Sequence, residues 1–379
     1  MAENRNLFRI TRFFLLKLPR LFKFFAKFRK SQKRLLIIKA DAIGDYVLFR
    51  NFIEIVNRSE QYREYKVDLV GNLVWKDLAL SYDATFVDSF FFIRPDDLYE
   101  SPLKTLKLGW RLFKNNYEVV LQPTFARTFI GDGLAGFTAA KHVIGFESDT
   151  ERIAPKYKTK TDRFYTQKLS LPPSIYFEFE RSRYFFECVL KQTIELNGPH
   201  ILTGAKTKTG IVIFPGAGVL KRSWEADKFL SVISKLVEQT GQTIYLAGGP
   251  SEASMGAYIE EKLPSNRITN LINKTSLLQL VELIGAAFLV ISNETSAIHI
   301  AAATHTNCVC ILGGGHFDRF APYPVQMANR PICVYEKMDC YYCNWNCKFK
   351  TEAHEPYPCI GNITVDAVWQ AVQSFIVAV

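Results

Sequence analysis

From residue 35 onward, short apolar runs alternate with segments whose apolar residues recur every three or four positions. That is the pattern of buried strands alternating with amphipathic helices. In the first half the strand-like runs are Leu35–Ile38, Val67–Val70, Val87–Ile93, Val119–Leu121 and Val143–Gly145. Helical spacing covers 46–57, 103–114 and the later part of 126–139. Residues 151–174, with Pro155, Pro172 and Pro173, predict a long loop, and 176–195 a helix. The polar stretch Asn197–Lys208 reads as a domain boundary. A second series follows, with strands at Ile211–Phe214, Thr243–Ala247, Phe288–Ser292 and Cys308–Leu312. Its helices lie near 226–239, 253–262, 277–287 and 297–303, and 364–377 predicts an amphipathic closing helix. Repeated strand–loop–helix units imply parallel sheets covered by helices. The expected fold class is α/β: two doubly wound, Rossmann-like domains at 35–200 and 209–363, facing across a cleft, then a closing helix at 364–379. In such sheets ligands bind at the carboxyl ends of the strands.

Residues 1–34 break this pattern. They hold seven Phe, with cations at 9, 12, 20, 23, 27, 30 and 34 and apolar residues (Ile10, Phe14, Leu21, Phe25, Phe28) on another face. Pro19 is expected to divide the segment into two short helices. Eleven Lys/Arg against Glu3 place the whole net charge of +10 here, and the rest of the chain is balanced. A basic helix with Phe and Leu opposite its cations suits a lipid interface or packing on the protein's own body. The expectation is an amphipathic extension that binds an anionic membrane surface and can be deleted without loss of the fold. Charge confined to one segment argues against nucleic acid as a partner. With 48% apolar and 14% aromatic residues the chain is not disordered, and no apolar run is long enough to cross a bilayer.

Three loops of the second half share one form, an apolar strand followed by small or polar residues and a helix start: Pro215–Gly218, Gly248–Glu252 and Ser292–Ser296. Glycines let a ligand approach the backbone, and helix N-termini offer free N–H groups to phosphate. Lys221 and Arg222 follow the first loop and could neutralise a diphosphate. No Asp-x-Asp pair occurs to bring a divalent metal to such a group, so cations and helix dipoles would have to stabilise it. Asp41 and Asp45 follow the first strand. Either caps the helix there, or Asp45, kept ionised by the helix terminus, accepts a proton from an attacking hydroxyl.

Together these segments resemble glycosyltransferase family 9, the bacterial heptosyltransferases. The resemblance is carried by Leu35-Leu36-Ile37-Ile38-Lys39-Ala40-Asp41-Ala42-Ile43-Gly44-Asp45, Pro215-Gly216-Ala217-Gly218 with Lys221-Arg222-Ser223-Trp224, and Leu246-Ala247-Gly248-Gly249-Pro250-Ser251-Glu252. It continues through Ser292-Asn293-Glu294-Thr295-Ser296-Ala297-Ile298-His299 and Arg319-Phe320-Ala321-Pro322-Tyr323. The resemblance implies a GT-B fold and an inverting, metal-independent transfer, most often of heptose from ADP-heptose to a lipopolysaccharide-core sugar. It implies Asp45 as catalytic base and Arg222, with neighbouring Lys221, at the diphosphate. Gly216, Gly249, Glu252, Asn293, Glu294, Thr295, Ser296 and His299 complete the implied donor site. Glu294 and Ser296 stand where the family pattern has Asp and Gly, and Gly313-Gly314-Gly315-His316 replaces Gly-x-Thr. Lys39 and Asp41, with Lys156, Lys158, Lys160 and Arg163 of the loop, are candidates for holding an anionic acceptor.

Cys340, Cys343, Cys347 and Cys359 cluster near the C-terminus. They could hold a structural Zn or Fe, remain reduced thiols, or form a disulfide; no cofactor is required for the transfer itself. The expected protein is therefore a cytoplasmic glycosyltransferase, peripheral on the inner membrane face, acting on a lipopolysaccharide-core or other cell-surface glycan. Alternatives are a protein (adhesin) heptosyltransferase with a Cys-bound metal and a non-catalytic GT-B scaffold.

Overall fold

The structure is a computed structural model that describes residues 5–147, 149–205 and 207–376. It forms two compact units, one running through Ile175 with Phe179–Glu195, the other comprising Tyr176–Glu178 and the chain from Leu196 on.

The first unit contains α1 (Arg5–Ala26), β1 (Gln32–Lys39), α2 (Ile43–Phe49), α3 (Asn51–Arg58), β2 (Lys66–Asn72), α4 (Lys76–Tyr82), β3 (Ser89–Ile93) and α5 (Pro95–Tyr99). It continues with α6 (Pro102–Lys114), β4 (Tyr117–Gln122), α7 (Phe129–Thr138), β5 (His142–Phe146), α8 (Pro155–Thr161), β6 (Gln167–Leu169) and α9 (Glu178–Leu190). Six parallel strands run in the order β3-β2-β1-β4-β5-β6. The reversal of direction beside β1 puts the carboxyl ends of β1 and β4 at the crevice where such sheets bind ligands. β1 is buried over its last five residues, as its unbroken apolar run requires.

Two expectations are corrected here. Residues 151–174 are not an unstructured loop, because they contain α8 and β6. Pro19 does not divide the N-terminal segment, which is one helix with the proline inside it. An interior proline costs about 3 kcal/mol. Leu15 and Phe22 on either side of it are buried, at about 1.5–3 kcal/mol each, so packing more than offsets the lost hydrogen bond. Phe22 lies against Phe113 of α6 and Phe137 of α7 (ring centroids 4.7 and 5.4 Å), and a Cβ at Gly133 of α7 would overlap Leu15. Arg29 donates to the carbonyls of Phe113 and Thr138. The basic segment thus contributes to the first unit's core, and this packing argues against the expectation that it can be removed freely.

The second unit contains β7 (Ile211–Phe214), α10 (Ala226–Gln239), β8 (Ile244–Leu246), α11 (Ala253–Lys262), β9 (Ile268–Asn270) and α12 (Leu277–Ala286). β10 (Leu289–Asn293), α13 (Ser296–Ala303), β11 (Asn307–Ile311), β12 (Ile332–Val334), α14 (Pro358–Gly361) and α15 (Val365–Ile376) complete it. Its parallel sheet has the order β12-β11-β10-β7-β8-β9. The edge strands β9 and β12, three residues each, were not visible in the sequence pattern. Among the described residues no helix is long and apolar enough to cross a membrane.

Candidate functional site

In the second unit, the three loops Pro215–Gly218, Gly248–Glu252 and Ser292–Ser296 lie at the carboxyl ends of β7, β8 and β10. Asn293, buried at the end of β10, joins two of them. Its amide donates to the carbonyls of Pro215 (2.6 Å) and Gly216 (3.2 Å) and accepts from the backbone N–H of Trp224 (3.0 Å). Glu252 closes the second loop on itself, accepting from the Gly249 N–H (2.7 Å) and the Ser251 hydroxyl (2.6 Å). A Cβ at Gly216 would overlap the Glu252 carboxyl group, so glycine there allows the first and second loops to meet.

Glu294 follows Asn293. Its Oε2 is buried without a hydrogen-bond partner. Burial raises its pKa to about 8, with the Arg222 charge opposing that rise. Burial in turn lowers the Arg222 pKa, against Glu294 and Tyr357. The Arg222 guanidinium lies over the Trp345 ring, 4.5 Å from its centroid, and among the described residues makes no hydrogen bond. Lys221 differs, because its ammonium is held by the carbonyl (2.9 Å) and hydroxyl (3.0 Å) of Thr351. Of the two cations, Arg222 is the one available to a diphosphate. Thr295 caps α13, accepting from the Ala297 N–H (3.2 Å), and Ser296 opens the helix. His299 is buried and bonded through Nδ1 to the Tyr323 hydroxyl (2.8 Å); burial lowers its pKa to about 3, so it is a neutral packing group.

Trp345 is a site residue that the sequence pattern did not single out. Its ring covers Gly313 and Gly315, where a Cβ would overlap it, and its indole N–H donates to His316 (3.2 Å). The Gly313-Gly314-Gly315 run was the available signal, since three successive glycines require a large group lying on the backbone. The segment that carries Trp345 also holds the cysteines. Cys359 is buried near Cys340, Cys343 and Cys347, yet among the described residues no three His, Cys, Asp or Glu side chains are arranged to hold a metal ion. The thiols as placed do not form a ligand set, and no step below runs through a metal.

In the first unit, Asp45 lies in the first turn of α2, half-buried. The residue capping α2 is Ala42, with no side-chain cap, so neither aspartate has that role. Asp41 instead accepts from the Thr124 hydroxyl (2.8 Å) and pairs with the buried Lys39 (3.0 Å). Burial acts to raise the Asp41 pKa, but Lys39, Thr124 and Arg152 outweigh it and hold the carboxyl below the ordinary range. Asn72 and Trp75 fix the backbone here by donating to the carbonyls of Ala40 (3.2 Å) and Asp41 (3.0 Å). Asp41 lines a cavity of about 450 Å³, with Asn72, Asp96, Tyr99, Gln122, Thr124, Thr128 and Arg152. That volume is in the range of ligand pockets, with these polar groups set in a wall that also holds Ile38, Val74, Ile93, Ile130 and Leu134. Asn72, Asp96 and Arg152 were not legible as site residues, because they come from separate segments.

The candidate acceptor cations are dispersed. Lys39 is enclosed behind Asp41, and Lys158 pairs with Asp162 (3.0 Å). Lys156 lies over the Tyr157 ring, while Lys160 and Arg163 line a different pocket beside α1.

A family model, Glycosyltransferase family 9 (heptosyltransferase), matches residues 106–343. The chain belongs to glycosyltransferase family 9. This family 9 chain is 31% identical over 130 residues to lipopolysaccharide heptosyltransferase 3 of Escherichia coli K12. That match covers 34% of the chain and only 38% of the relative. Its fold is that of E. coli ADP-heptose lipopolysaccharide heptosyltransferase II (TM-score 0.68, 15% identity, 91% of this chain and 99% of that one). It is likewise that of E. coli heptosyltransferase WaaC, solved with ADP-2-deoxy-2-fluoro heptose (TM-score 0.64, 17% identity, 90% and 99%).

Proposed function

We propose that this family 9 chain is an inverting glycosyltransferase that moves heptose from ADP-heptose to a lipopolysaccharide-core or other cell-surface glycan, at the cytoplasmic face of the membrane. The observation that carries the reading is the unpartnered, buried Glu294 oxygen beside an Arg222 guanidinium that has no hydrogen bond. A buried, unpartnered carboxyl oxygen beside a half-buried guanidinium, at the ends of three strand-to-helix loops, is the mark of a site that is completed by a polar ligand. ADP-heptose suits them. Arg222 and the N–H groups opening α13 would take the diphosphate, and Glu252 lies where the nucleoside would reach the first two loops. Glu294, protonated at neutral pH, would donate to a sugar or phosphate oxygen.

In this reading Asp45 acts as the base. It lies in the first turn of α2, where the helix N–H groups favour negative charge. It takes the acceptor hydroxyl proton as that oxygen bonds to the anomeric carbon, while the carbon–oxygen bond to the diphosphate breaks on the opposite face. The bond electrons leave with the diphosphate, whose charge Arg222 offsets. Proton transfer concerted with bond formation contributes on the order of 10²–10⁴-fold. The reading is tested by incubating the full chain with a panel of nucleotide sugars and following nucleoside diphosphate release. ADP-heptose should be consumed faster than ADP-glucose or UDP-sugars; no preference for it would overturn the donor assignment.

A further inference from the structure

α1 is anchored through one side only. Thr11, Leu15, Pro19 and Phe22 face inward, while Ile10, Phe13, Leu21, Phe24, Phe25 and Phe28 remain exposed, Phe28 by 78%. Phe24 meets Phe25 and Phe28 in T-shaped contacts, with ring centroids 5.6 and 5.7 Å apart. Beside this aromatic face is a pocket of about 70 Å³ whose lining includes Arg20 and Lys23 of α1 and Lys160 and Arg163 from the α8 end. Among the described residues no carboxylate lines it. The nearest acid in sequence, Asp162, is already shared by Arg127, Lys158 and Lys168. The two sides of the pocket are fixed to one another, since Arg12 of α1 donates to the Tyr157 hydroxyl of α8 (2.6 Å). The space equals roughly the share of two waters, enough for one tetrahedral oxyanion.

We infer that the outer face of α1 and the pocket formed with Lys160 and Arg163 are a docking surface for the phosphate headgroups of an anionic bilayer. Four exposed cations lining one pocket, with no acid among its described lining residues, form a concentrated positive charge that an anion would offset. Adjoining exposed Phe, rather than polar or hydrogen-bonding aromatics, match the acyl boundary just beneath such headgroups. A second copy of this basic face would be repelled. The inference deepens the membrane-face part of the proposed function and is independent of the sugar chemistry. It also moves the membrane contact from a detachable tail to a surface built from two parts of the first unit.

The test uses the full chain in sedimentation with phosphatidylglycerol-containing vesicles and with phosphatidylcholine vesicles. Binding should be confined to the anionic vesicles. Each basic residue at such a surface is worth about 1 kcal/mol, so K160Q/R163Q should weaken binding about 30-fold even though both positions lie outside residues 1–34. F24S/F25S/F28S should also weaken it, with an unchanged circular-dichroism melt. Equal binding to neutral vesicles, or K160Q/R163Q binding as wild type, would overturn the inference. Saturation by glycerol phosphate as readily as by vesicles would show a soluble phosphate ligand instead. Loss of RNA binding but not vesicle binding in K160Q/R163Q would show a nucleic-acid surface, also against the inference. Release of ADP from ADP-heptose, measured without vesicles, reports separately on the proposed activity.

Discussion

Replacing Glu294 with glutamine should make the second unit more stable, increasingly so as pH rises. The Glu294 carboxyl is buried, with Oε2 unpartnered, and its pKa in the folded chain is raised to about 8 from an ordinary value near 4.5. The folded state therefore holds this proton where the unfolded state has released it. The group's contribution is fully present below about pH 4.5 and is lost as pH rises toward about pH 8. Each unit of that interval corresponds to 1.36 kcal/mol, so between about pH 6 and about pH 8 the wild type should lose about 2 kcal/mol through this group. For a unit of this size that equals a fall of about 4–8 °C in Tm. E294Q keeps the shape and cannot ionise, so it should escape that loss. Thermal melts of both proteins across this range should diverge progressively as pH rises. Parallel curves would refute the reasoning and show that the carboxyl is paired or solvated.

Three further outcomes follow from the packing and the site. Leu15→Ala should cost about 2–5 kcal/mol, read as a lowered denaturation midpoint, because it empties a fully buried position against α7. Removal of residues 1–33 should yield a chain that melts early or aggregates, by exposing Phe113 and Phe137; an unchanged melt would show α1 to be dispensable. Gly216→Ala should displace Glu252 from the Gly249 N–H and weaken ADP binding, measured by calorimetry, about 10-fold or more.

Much of the fold was legible because each buried parallel strand is an unbroken apolar run and each loop that turns toward the site carries glycine or a small polar residue. Leu35–Ile38 and Leu289–Ile291 are such runs, and both sit at the centre of their sheets. The edge strands Ile268–Asn270 and Ile332–Val334 are too short and too exposed to carry a period. The role of α1 was hidden for a different reason. Thr11, Leu15, Pro19 and Phe22 form an inward stripe, but the segment's other phenylalanines and its cations mask that stripe in the sequence. In the candidate donor site the glycines, Asn293 and Glu294 were visible as motifs, whereas the partner of Arg222 was not. Trp345 meets it from more than a hundred residues away, and no local pattern records that contact. The choice between Lys221 and Arg222 likewise needed the position of Thr351.

The central claim is that Asp45 is the base in a sugar transfer from ADP-heptose. Its most direct test is Asp45→Asn, which keeps the side-chain shape and removes the proton acceptor, assayed for ADP release with acceptor present and for ADP affinity by calorimetry. The account predicts a fall in turnover of about 10²-fold or more with ADP affinity unchanged. Turnover at the wild-type rate would contradict it.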